Sequence, residues 1–159
     1  MKTITKTYEL YSFDELSYEA KKKALNDNYA INVEWDWWQT TYEDADNVGL
    51  KISGFDIGRG RCCNMSFKSW AIDTAESILQ EHGEVCDTYK YAKAYKEAYD
   101  KNNGEDLDEL DAEFLNNLAY CYLVMLREEY SYQTSEEGIR DTFEANEYTF
   151  LEDGTMFNE

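Results

Sequence analysis

One histidine, four cysteines and 34 acidic side chains are the groups in this chain whose types suit chemistry. Nucleophilic catalysis needs a base beside its nucleophile, and His82 is the sole imidazole. It adjoins Gly83 at the expected end of a helix, where a positive imidazole complements the C-terminal dipole. His82 and Cys86 have workable ligand spacing, but the adjacent Cys62 and Cys63 do not, so no metal is expected. Asp14 with Glu19-Ala20-Lys21 superficially matches a nuclease motif, yet it falls on an expected helix rather than a strand. Gly58-Arg59-Gly60 reads as a hairpin turn, and no Walker or dinucleotide fingerprint occurs. Paired-carboxylate catalysis loses its signature where acids are this abundant. The expectation is a binding protein without catalytic residues, cofactor or metal, rather than an enzyme.

The acids themselves are the anomaly. Against 15 bases they leave a net charge of −19, and residues 104–159 hold 16 acids but only Arg127 and Arg140. Asp and Glu at a helix N-terminus complement its dipole, and Asp106 with Glu109 has capping-box spacing. That covers few of them. Self-repulsion among uncompensated charges is destabilising, so solubility or recognition must retain the rest. The recognition candidates are Glu105, Asp106, Asp108, Glu109, Asp111, Glu113, Glu128, Glu129, Glu136 and Glu137. Carboxylates on a rigid helix approach the charge density of duplex DNA, about one charge per 1.7 Å. Such a surface suits a basic nucleic-acid-binding protein and repels nucleic acid itself. Trp37 lies about 200° around a helix from Trp35. It is therefore either an exposed interface anchor or a ring packed beneath the neighbouring hairpin.

The elements that must position these groups are legible from periodicity. Residues 3–11 alternate and predict a strand, with Ile4, Lys6, Tyr8 and Leu10 on one side. Ser12 or Ser17 caps a helix that runs to about 29. A helix is expected over 34–47, with Trp35, Trp38, Tyr42 and Ala45 as its buried stripe and Gly49 closing it. Residues 50–57 and 62–67 form the clearest hairpin. Helices are expected over 71–83, 88–101, 106–131 and 135–145. The long one carries Leu107, Leu110, Phe114, Leu118, Cys121 and Met125 at steps of three and four. A closing hairpin is expected over 147–157 around Asp153-Gly154. The predicted fold is α+β, a small mostly antiparallel sheet with five to six helices, as a single acidic domain over 1–159.

Composition sets the remaining bounds. Hydrophobic residues at 43% can build a core, so the acidity does not signal disorder. No membrane-length apolar run and no signal-peptide core are present, and the expected location is the cytoplasm. The four cysteines are expected reduced and mostly buried. The absence of proline excludes Pro-rich linkers.

Tyr11-Ser12-Phe13-Asp14-Glu15-Leu16-Ser17, Trp37-Trp38, Tyr42-Glu43-Asp44-Ala45, Gly54-Phe55-Asp56 and the run from His82 to Lys90 resemble a group of small phage and mobile-element proteins. The likeness covers about half the chain. It implies a context: small acidic proteins of such elements resemble anti-restriction and anti-CRISPR inhibitors, some of them DNA mimics. The expected partner is thus a CRISPR effector or restriction nuclease. A non-mimic interaction module, antitoxin-like or allosteric, is the alternative, and a carboxylate enzyme the third.

Overall fold

The computed structural model describes residues 1–158. It contains six helices and a two-stranded antiparallel sheet among those residues, 53% helix and 10% strand, which makes the fold a small α+β one. The chain groups into two compact units, one built from Met1–Trp37 with the chain from Tyr130 onward, the other from Trp38–Glu129.

In the first unit, Ser17 caps helix α1 (Tyr18–Asp27) by accepting a hydrogen bond from the Ala20 amide at 3.2 Å. Ser12 precedes only a short 3-10 turn, Phe13–Glu15. Ser135 caps the second helix of this unit, Glu136–Ala145, accepting from the Gly138 amide at 3.0 Å. Between the two helices lies an aromatic core in which Phe143 meets Phe13 at 5.5 Å and Phe150 at 4.9 Å. The buried Asn32 amide donates to the carbonyls of Gln133 and Gly138, and its oxygen accepts from the Thr142 hydroxyl at 2.6 Å. Every polar atom of that side chain is therefore partnered, as burial requires.

Two expected strands shrink here to single bridges. The strand over 3–11 does not form. Only Tyr11 pairs, with Phe150, and Ile4, Tyr8 and Leu10 remain exposed. Alternation alone does not make a strand without a partner edge, and the face that carries Ile4 also carries Lys6. The closing hairpin is likewise one bridge, Phe150 with Met156, held by the Leu151 amide donating to the Thr155 carbonyl at 2.8 Å. Gly154 turns that corner at φ 95°, so close to α1 that a Cβ would sit 2.1 Å from the Ala20 carbonyl oxygen.

In the second unit, α2 (Gln39–Asn47) starts five residues later than its apolar spacing predicts. Trp35 therefore leaves the expected stripe and is 66% exposed, Trp38 and Tyr42 are half-buried, and Ala45 stays in the core. Gly49 at φ 87° turns the chain into β1 (Leu50–Asp56), which pairs antiparallel with β2 (Cys62–Phe67). A bulge at Ser53 changes the inward phase, as one extra residue must. Leu50 and Ile52 face inward before it, and Phe55 meets Trp38 and Tyr42 edge-on after it. The glycine turn of this hairpin wraps its own anion, because the Asp56 carboxylate accepts from the Gly58 and Gly60 amides.

Helices α3 (Ala71–Glu81) and α4 (Asp87–Lys101) follow close to their expected bounds, then α5 (Asp108–Gln133). α5 buries Phe114, Leu118 and Cys121 from the expected stripe and adds Tyr122, Leu123 and Leu126. Leu107, Leu110 and Met125 are only half-buried. Residues 130–133 of α5 belong to the first unit, whose remaining helix, Glu136–Ala145, is α6.

Candidate partner-binding surface

The expected recognition acids fall into groups that the units hold separately. In the second unit, Glu105, Asp106, Asp108, Glu109, Glu113 and Glu128 are exposed. In the first, Glu136 and Glu137 are exposed on the opening turn of α6. Among the described residues, no Lys, Arg or His lies within ion-pair distance of any of these eight. The two bases in the last third do not offset them. Arg140 is engaged by Asp14 at 2.8 Å and Glu144 at 3.6 Å, and Arg127 forms no ion pair with the described residues.

Two of the ten candidates have other work. Asp111 is half-buried and accepts a hydrogen bond from the Tyr95 hydroxyl. Burial first, and Asp111 second, push the Tyr95 phenol well above its ordinary value. Glu129 is also half-buried and engaged. The expected Asp106–Glu109 capping box does not form, since α5 begins at Asp108 and Asp106 adopts φ 53° outside the capping position.

Along α5 the acids sit at two ends. Asp108 to Glu113 carries four of them, Glu128 and Glu129 two more, and residues 114–126 carry no charge at all. Beside that uncharged stretch, α4 and α5 enclose two hollows of about 320 Å³ each, with Tyr91 in the wall of both. One is bounded by Leu110, Glu113 and Phe114; the other by Val85, Tyr120, Met125 and Glu128.

Trp35 departs from its expected place in a buried stripe, and Trp37, expected either as an exposed anchor or as a packed ring, is not fully exposed. Trp37 is half-buried with its ring 5.3 Å from Tyr130, while Trp35 is the exposed one. The reason is the late start of α2, because Trp35 and Trp37 lie in a turn and helical phase does not apply to them.

His82 stands at the C-terminal cap of α3, where the sequence places it, but its side chain has specific partners. Its side chain, 8% exposed, turns inward, with Nδ1 2.6 Å from the Thr88 hydroxyl and Nε2 3.2 Å from the Asp44 carboxylate. The second approach is a close polar contact whose geometry is poor for a hydrogen bond. The Tyr122 hydroxyl donates to the same carboxylate at 2.7 Å. His82, aided by Tyr122, holds the Asp44 carboxyl below its usual range despite partial burial. A Thr–His–Asp chain invites a catalytic reading, but Thr88 is 2% exposed and Tyr122 fully buried. The network joins α2, α3, α4 and α5, which is a structural role. Sequence spacing gave no sign of it, since its members are separated by as many as 78 residues.

Two of the four thiols, Cys63 and Cys121, are poor nucleophiles. All four cysteines are free; Cys62 is exposed, and burial pushes Cys63 and Cys121 up to about 11. No helix among the described residues is long and apolar enough to cross a membrane. Compared with protein-family models, curated proteins and solved structures, the chain matches none of them.

Proposed function

We propose that this protein is a non-catalytic inhibitor of a bacterial defence nuclease, a CRISPR effector or a restriction enzyme, carried by a phage or mobile element and acting in the bacterial cytoplasm. It blocks the groove in which the nuclease holds nucleic acid. The observation that supports this reading is the set of exposed carboxylates at the N-terminal end of α5, to which no described cation is paired. Residues 108–113 rise about 7.5 Å. With Asp111 bonded inward, the three remaining carboxylates give about one charge per 2.5 Å, against about 1.7 Å along duplex DNA. The density is comparable over one and a half turns. A cationic groove gains from such a patch without any chemistry, and long-range attraction speeds the encounter.

The test measures binding to a panel of purified CRISPR effectors and restriction nucleases at about 50 mM and about 300 mM NaCl, where the Debye length more than halves. The expected result is affinity that falls steeply with salt and competition by duplex DNA. The triple substitution Asp108→Lys, Glu109→Lys and Glu113→Lys is expected to abolish it while circular dichroism is unchanged. Salt-independent affinity, or full binding by the triple variant, refutes mimicry.

A second reading has its own observation. The uncharged stretch of α5 and its two apolar hollows suit an interaction module that grips its target by burial rather than by charge.

A further inference from the structure

We infer that the groove between α4 and α5 receives an amphipathic helical segment of the partner, with a basic residue at each end of an apolar face. This deepens the protein-binding reading above by naming what the partner must present. Both hollows have Tyr91 in their wall, and their α5 residues follow one another on one face of the helix, Leu110 to Asn117 and then Tyr120 to Glu128, so they lie end to end as a trough with Tyr91 between its halves. Its floor is apolar, and Tyr120 and Val85 stand at its edge 61% and 87% exposed. Single exposed apolar residues are ordinary. Here they border a trough alongside residues 114–126, which carry no charge in a chain of net charge −19.

The charges are placed at the ends. Glu113 lines one hollow and Glu128 the other, and neither pairs with a described cation. They are 15 residues apart on one helix. That places them about 22 Å apart with a net rotation of about 60°, so both carboxylates address the same side. Asp87 joins Glu128 at its end, held only loosely by Lys90 at 3.8 Å. An occupant with Arg or Lys about 15 residues apart on a helix meets both ends, its aliphatic stems lying on the apolar rim. An extended segment would span the same distance, but its backbone N–H and C=O groups would lie unsatisfied over an apolar floor. A helix bonds its own backbone and lays down only side chains, the arrangement of helix-in-groove recognition.

The experiment uses the full chain as target for a displayed library of about 18-residue helical peptides, counter-selected on the Tyr120→Asp variant. Enrichment of peptides with basic residues flanking an apolar face is expected. They should bind the unmodified protein and lose about tenfold or more on Tyr120→Asp and, independently, on Val85→Asp. Glu113→Lys with Glu128→Lys should weaken them similarly. Both edge positions are exposed, so loss of fold is excluded by circular dichroism on each variant. No enrichment, peptides lacking flanking bases, or equal binding by both edge variants overturns the inference. Its failure is distinct from that of the nuclease reading. If Tyr120→Asp leaves nuclease binding intact while the Asp108/Glu109/Glu113 reversal removes it, the groove falls and the mimic stands. If peptides are selected and no nuclease binds, the groove stands and the mimic falls.

Discussion

Removing one oxygen tests the buried network most directly. In Tyr122→Phe the ring stays in place and only the hydroxyl that donates to Asp44 at 2.7 Å is lost. Tyr122 is fully buried, so its own contacts are otherwise unchanged. A hydrogen bond to a charged group contributes about 1.5–3 kcal/mol. The Asp44 side chain is 42% exposed, so water recovers part of that, and a loss of about 1–2 kcal/mol is expected. The pH dependence fixes the origin. Asp44 titrates below its usual range in the folded state, chiefly through His82 and then Tyr122. A depressed carboxylate contributes stability above its unfolded pKa and loses it as pH falls through the folded one. The difference between the two proteins should therefore hold at neutral pH and shrink below about pH 4, towards the roughly 1 kcal/mol of a neutral hydrogen bond. Urea unfolding followed by circular dichroism at several pH values reads it as a shift in midpoint at constant slope. Equal stability at pH 7, or a difference that does not change with acid, would refute the assigned geometry.

Three further outcomes follow from local features. Gly154→Ala should destabilise the fold by more than the roughly 1 kcal/mol of an ordinary glycine effect, read as a lower melting temperature, because φ 95° and the Ala20 carbonyl both reject a Cβ; an unchanged melt refutes that corner. Ser17→Ala removes the cap of α1 and should destabilise by about 1 kcal/mol, measured by chemical denaturation, with Ser12→Ala costing less because Ser12 caps no helix. A thiol reagent at neutral pH should modify Cys62 rapidly and leave Cys63 and Cys121 slow, since burial pushes both of those thiols up to about 11. Fast modification of three or more thiols in the folded protein would contradict that assignment.

The chain's acids show how far a sequence carries a surface. That Glu109 and Glu113 lie outward on a helix follows from its period, and they are exposed. Asp111 on the same helix turns to Tyr95, a residue 16 positions earlier, and no period reports that. The tryptophans fail differently. Helical phase is meaningful only inside a helix, and the start of α2 at Gln39 leaves Trp35 and Trp37 in a turn where phase assigns no face. The strand over 3–11 fails for a third reason, because pairing needs an edge and only Phe150 supplies one, to Tyr11 alone.

By itself the sequence determined the hairpin around Gly58 and Gly60 and placed α1, α3, α4, α5 and α6 to within a few residues, while the choice of Ser17 over Ser12 as the cap of α1 came from the structure. Capping, turn conformation and apolar period are decided by atoms a few residues apart, so they are written locally. Tertiary structure alone decided that His82 turns inward to Asp44 and Thr88, that Trp35 rather than Trp37 is the more exposed ring, and that Tyr91 joins two hollows beside the uncharged stretch of α5. Those facts depend on contacts between residues remote in the chain, whose energies exist only once the fold has brought them together.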